Sequence, residues 1–267
     1  MRTRNALLAL TLVAISGCHK SAPPIRFAPS DTDIARLRSE YALTPAERAA
    51  LTPENLKLFK QDELDQIYKR LNSGPMPDGP FRGDLFFPRG GNSKASVGEL
   101  SGASSDLVTK IAAMPAEQLG RAFWRGKVFF RSQGILRNRI EDLAFLKPII
   151  PDPETIPKLT FDGRTTWLLF PAKLSCGNSL LDPANRSIVI DYAKGSEVEG
   201  YREIPDKVAG PEALDIRDEV RQVRPGLYLG RAYFRGQFRL NFTLLDPATA
   251  SNANAPVAEG DCTAAQP

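Results

Sequence analysis

The densest run of ionisable side chains is Arg217-Asp218-Glu219-Val220-Arg221. On a strand, alternation puts Arg217, Glu219 and Arg221 on one face and Ile216, Asp218 and Val220 on the other. Two arrangements follow. In one, the three charges look outward and form cross-strand ion pairs, the default for charged groups. In the other they line an enclosed interior, where arginine forks suit a carboxylate or phosphate headgroup, and Asp218 on the apolar side needs a partner such as Arg139. A second polar set accompanies them: Asn138 and Arg139 between Leu136 and Ile140, Asp191 and Tyr192 at the end of an apolar run, then Tyr228 and Tyr233. Polar groups of this kind among apolar strands make a small-molecule pocket. They equally make a buried network that only fixes strand register. The candidate ligand-binding residues are therefore Asn138, Arg139, Asp191, Tyr192, Arg217, Glu219, Arg221 and Tyr228. Asp191, Asp218 and Glu219 also offer carboxylates for acid–base hydrolysis, a chemistry set by a separation that sequence does not give.

Other chemistries are excluded by what is missing. His19 is the only histidine and stands near the N-terminus. A Ser-His-Asp or Cys-His site needs an imidazole within hydrogen-bond reach, and zinc sites draw on histidines or several cysteines. Hard oxygen-ligand metals such as calcium remain open, but no spaced Asp/Asn/Gly loop of the EF-hand type occurs. No catalytic residue, metal ligand or cofactor site is therefore assigned. Ser175-Cys176-Gly177-Asn178-Ser179 is not a nucleophile elbow, which reads Gly-x-Ser-x-Gly; it reads as a loop bearing a structural cysteine. Trp124 and Trp167 read as core or barrel-floor aromatics. The chain has 35 Lys and Arg against 31 Asp and Glu, a net charge of +4. No dense basic run is interleaved with aromatics, so nucleic acid is not an expected partner.

The elements that must position these residues fall into two sets. From Ser30 to Leu71 the pattern is helical. Thr44-Pro45-Ala46-Glu47 is a capping box with proline at the first helical position, and Thr52-Pro53-Glu54 repeats the start signal. Leu56, Phe59, Leu64, Ile67, Tyr68 and Leu71 form an apolar stripe, opposite a solvated face of Lys57, Lys60, Asp62, Asp65 and Lys69. Residues 73–80, rich in Pro and Gly, stop the helix. A polar, Gly-rich loop over 83–105 holds one short strand at 84–87, and 104–122 carries one or two short helices. Strands are expected at 122–131, 134–141, 164–171, 186–193, 215–223, 226–234 and 237–245. The last has strict alternation, Phe238, Leu240, Phe242 and Leu244 against Arg239, Asn241 and Thr243. Tight turns at Pro225-Gly226 and Arg235-Gly236 imply an antiparallel meander. The expected fold is α+β: N-terminal helices, then a meander closing into a barrel or a curved sheet.

Residues 1–18 read MRTRNALLALTLVAISGC. Arg2 and Arg4 precede a nine-residue apolar stretch, too short to span a bilayer and suited to a secretory signal. Ile15-Ser16-Gly17-Cys18 resembles the lipobox of bacterial lipoproteins. That resemblance implies cleavage before Cys18, acylation of its thiol and stable anchoring to a membrane. His19, where an aspartate would retain the protein at the inner membrane, implies an outer-membrane lipoprotein with its domain in the periplasm. Removal of residues 1–17 takes two arginines and no acid, leaving a net charge of +2. In that oxidising compartment Cys176 and Cys262 can pair and pin the C-terminal tail to the loop after residue 170; two free thiols are the alternative.

The boundaries that follow are 1–17 signal peptide, 18–30 Pro-rich tether, 31–121 helical and loop region, 122–246 antiparallel β domain and 247–267 tail. Trp124–Phe129, Leu136–Ile140, Ser187–Tyr192, and above all Ile216–Arg221 with Pro225–Gly230, resemble blocks in uncharacterised bacterial proteins. The resemblance implies a lipocalin-like barrel and no transferable activity. Three functions are expected in order: a non-catalytic envelope lipoprotein binding a hydrophobic or amphiphilic small molecule, such as a lipid; an interaction lipoprotein with an envelope protein partner, as a toxin immunity protein or an assembly factor; and a histidine-free carboxylate hydrolase.

Overall fold

The computed structural model of the protein describes residues 23–30, 32–87, 123–143, 150, 152–252, 256 and 262. The signal, the lipobox, residues 18–22 of the tether and the helices expected over 104–122 lie outside the described residues, as does most of the tail.

Four short helices come first: α1 (Ile34–Ser39), α2 (Pro45–Ala50), α3 (Pro53–Leu56) and α4 (Gln61–Lys69). Their starts follow the local chemistry. Thr44 accepts from the Glu47 backbone N–H while the Glu47 carboxylate accepts from that of Thr44, and Thr52 and Asn55 repeat the exchange. Each exchange satisfies two amides that a helix start leaves free.

Among the described residues nine strands follow: β1 (Gly79–Phe86), β2 (Trp124–Phe130), β3 (Ile135–Ile140), β4 (Lys158–Phe161), β5 (Arg164–Asn178), β6 (Arg186–Asp191), β7 (Ile216–Arg224), β8 (Leu227–Phe234) and β9 (Gln237–Leu245). Neighbours run β3-β2-β1-β9-β8-β7-β6-β5, every pair antiparallel, and β3 pairs β5 to close the ring. Eight strands thus form a closed, lipocalin-like meander barrel, which leaves no open sheet edge in the ring. The short β4 stands outside it as a hairpin partner of β5. A short helix α5 (Glu203–Asp206) and 3-10 turns at 192–197 and 207–209 follow β6.

Several boundaries differ from the sequence expectation. β5 runs to Asn178 rather than ending near 171, so Cys176 lies on a strand and not in a loop. The strand is long because it changes partners, meeting β4 over 164–167, β3 over 167–173 and β6 over 173–178. β1 begins at Gly79, inside the expected break, because Gly79 to Arg82 pair with β2. β4 has no counterpart among the expected strands; four residues with half-exposed side chains leave little periodic signal.

Two apolar clusters sort the faces. Inside the barrel, Phe81, Phe129, Leu136, Ile190, Val220 and Phe242 pack together. Outside it, Leu56, Leu64, Tyr68 and Leu71 from the helices cover Val223, Leu227 and Leu229 of β7 and β8. The helical layer therefore buries an outer face that a bare barrel would expose to water. Asp65 and Lys57 of the expected solvated face turn out to be partnered, with Arg231 and Asp84 respectively.

Candidate ligand site

Alternation along β7 points Ile216, Asp218 and Val220 inward and Arg217, Glu219 and Arg221 outward. The interior reading of the three charges is therefore overturned, and so is their plain exposure. Glu219 and Arg221 are wholly buried on the outer face. The guanidinium of Arg221 donates to both carboxylate oxygens of Asp182, at 2.7 and 3.0 Å, and to the Tyr68 carbonyl and Ser187 hydroxyl. It stacks on the Tyr68 ring at 4.7 Å. Glu219 Oε1 accepts from Arg217 and from the Leu180 backbone N–H. These groups clamp α4 and the loop after β5 onto the barrel wall.

Inside, Asp218 is partnered by Lys127 and not by Arg139. Lys127 Nζ donates to Asp218 Oδ2 at 2.9 Å, to Asn138 Oδ1 at 2.9 Å and to the Tyr192 hydroxyl at 2.5 Å. Tyr192 in turn donates to Asp218, and Asn138 Nδ2 donates to the Phe170 carbonyl and the Tyr192 oxygen. The Trp124 indole N–H completes the set at Asn138 Oδ1. The rings of Trp124, Tyr192 and Phe242 surround the ammonium at 5.2–5.4 Å. Every proton of the ammonium has an acceptor. Burial lowers the Lys127 pKa, and the Asp218 charge opposes that shift. Burial pushes Tyr192 well above its ordinary value, with Asp218 adding to the effect.

Arg139 runs along the outside instead. Its guanidinium donates to the carbonyls of Phe81 and Arg125 at 3.2 Å each and lies 4.7 Å from the Phe161 ring. It passes the strand irregularity at Gly126, where φ is +115° and a Cβ would collide with the Phe81 carbonyl. Asp191 caps the turn after β6 through Ala193. Tyr228 lies inside near one end and donates to the Pro75 carbonyl at 2.9 Å. Of the eight expected residues, the fold joins only Asn138 and Tyr192 in the interior network, and it places Asp218 and Glu219 on opposite faces of the wall.

Lys127, the centre of that network, was missed. Its signal was present: in strand alternation it shares a face with Phe129, which is core. The Gly126 irregularity then brings Trp124 to the same interior. Cys176 and Cys262 form a disulfide. Cys262 is buried among the interior residues, and its N–H donates to the Ser73 hydroxyl.

A cleft borders the barrel wall. β1 pairs β2 only through Gly79–Arg82 and pairs β9 through Arg82–Phe86. Where β1 and β2 part, a cleft of about 350 Å³ forms between them and α3. Pro53, Leu85, Trp124 and Leu245 supply apolar lining; Glu54, Arg82, Asp84 and Arg125 supply charge. Gly83 lets the indole lie against β1, since a Cβ there would strike the Trp124 ring. The barrel and its cleft are compatible with small-molecule binding. No family model, curated protein or solved structure matches the chain.

Proposed function

We propose that the chain is a bacterial envelope lipoprotein, anchored through an acylated Cys18 at the outer membrane, whose barrel binds a hydrophobic or amphiphilic small molecule without transforming it. The observation that carries the binding reading is the cleft beside Trp124. Its volume of about 350 Å³ falls within the range of small-molecule sites, and its lining is divided evenly between apolar residues and charged or polar ones. The interior network does not serve as the site in this reading, because its donors are already matched. The anchor rests on the positive, apolar and small-residue segments that end at Cys18.

The test is native mass spectrometry of protein purified from its own host, followed by organic extraction. A bound species of defined mass, lost when Trp124 and Leu85 are replaced by alanine, is the expected result. Empty protein in every preparation overturns the binding reading. The mass of the N-terminal peptide tests the anchor separately: an unprocessed start or an unacylated Cys18 removes it.

A further inference from the structure

The cleft also indicates the charge of its ligand, an inference that rests on the binding reading above. Three of its four charged residues already have partners. Arg82 pairs with Asp162, with one contact at 2.6 Å. Arg125 pairs with Glu141 and Asp84 with Lys57. Glu54 differs: its carboxylate has no ion pair or hydrogen bond among the described residues, and it stands exposed in the first turn of α3 at the cleft.

The guanidiniums of Arg82 and Arg125 are already matched by Asp162 and Glu141, so an incoming anion meets no uncompensated positive charge there. A cation finds at Glu54 a carboxylate with no competing partner among the described residues, in a cleft that the Trp124 indole also lines, and aromatic rings attract cations. The apolar walls from Leu85, Trp124 and Leu245 then accommodate the rest of the molecule. We propose that the cleft takes a cationic amphiphile, with an ammonium group at Glu54 and an apolar body against Leu85 and Trp124.

Three probes with the same ten-carbon body separate the alternatives: decylamine, decanol and decanoate, each below its micellar concentration. Binding is followed by native mass spectrometry and by Trp124 fluorescence in a Trp167→Phe background. Decylamine is expected to bind one to one, with decanol about three- to fivefold weaker, the size of an exposed ion pair, and decanoate weakest. Glu54→Gln is expected to bring decylamine to the level of decanol and leave decanol unchanged. Decanoate or decanol equal to decylamine, or a Glu54→Gln protein that binds decylamine as before, overturns the assigned charge and leaves the binding reading standing. No binding of any of the three overturns both.

Discussion

Lys127 Nζ lies 2.9 Å from Asp218 Oδ2 and so joins β2 to β7 across the inside of the barrel. Three strands separate β2 from β7 in either direction around the ring, so the pair spans the barrel's full width. Both side chains are nearly removed from water, at 2% and 6% exposure. Such a pair recovers the cost of desolvation only through good geometry and additional hydrogen bonds, which Asn138 and Tyr192 provide. Its energy depends on both partners being present.

Removing one partner leaves a buried charge without compensation. Lys127→Met and Asp218→Asn are each expected to cost about 3–5 kcal/mol. The double variant Lys127→Met/Asp218→Asn, with no charge left to bury, is expected to lose far less than the sum. Urea unfolding of the four proteins in a double-mutant cycle checks this; additive losses would show that the two groups do not act as a pair.

Stability is expected to fall in acid, in part through Glu141. Burial raises its pKa, but hydrogen bonds from Arg164 and Arg125 outweigh this and hold it below the ordinary glutamate range. The unfolded chain then binds more protons than the native one in that window. The contribution is present above the ordinary glutamate range and is lost as pH falls through the lower, folded value. Glu47 acts in the same sense: burial raises its pKa, and the Arg26 and Thr44 amides lower it further than burial raises it. The urea midpoint, followed from about pH 6 to about pH 3, should decline less steeply in Glu141→Gln than in the parent. An unchanged slope would remove Glu141 from the acid response.

The disulfide closes a sequence separation of 86 residues. Constraint of the unfolded chain by a loop of that size is worth roughly 3–5 kcal/mol. Cys176→Ser/Cys262→Ser should lower the unfolding midpoint accordingly. Because Cys262 is buried among the interior side chains, the same variant should also become cleavable by protease in its C-terminal tail. A tail equally protected in both proteins would show that packing alone retains it.

Gly126→Ala tests the strand irregularity that brings Trp124 and Lys127 to one interior. The position needs a φ of +115°, and a Cβ there meets the Phe81 carbonyl and the Gly83 nitrogen. Backbone strain alone costs of order 1–3 kcal/mol. The variant is expected to lose at least about 2 kcal/mol of stability and to shift Trp124 fluorescence. A loss confined to a few tenths would show that β2 tolerates regular pairing here.

Much of the barrel was legible in the sequence. β9 occupies the expected residues because its inward Leu240, Phe242 and Leu244 alternate with Arg239, Asn241 and Thr243, and a period of two has only one structural reading there. The capping boxes at Thr44 and Thr52 were equally legible, since a cap forms between residues three apart. β4 was not, and neither was the length of β5, because both depend on which strands come alongside.

The candidate site was less legible for the same reason. Sequence determined that Arg217, Glu219 and Arg221 share one face of a strand and Asp218 the other, because successive side chains alternate. It also narrowed the chemistry, by confining the only histidine to His19. Which face is interior depended on the helices that cover β7 and β8 from outside, and the pairing of Asp218 with Lys127 across the circle of strands depended on ring closure between β3 and β5. Contacts between residues 91 positions apart are fixed by the topology of the whole sheet, and no local pattern encodes them.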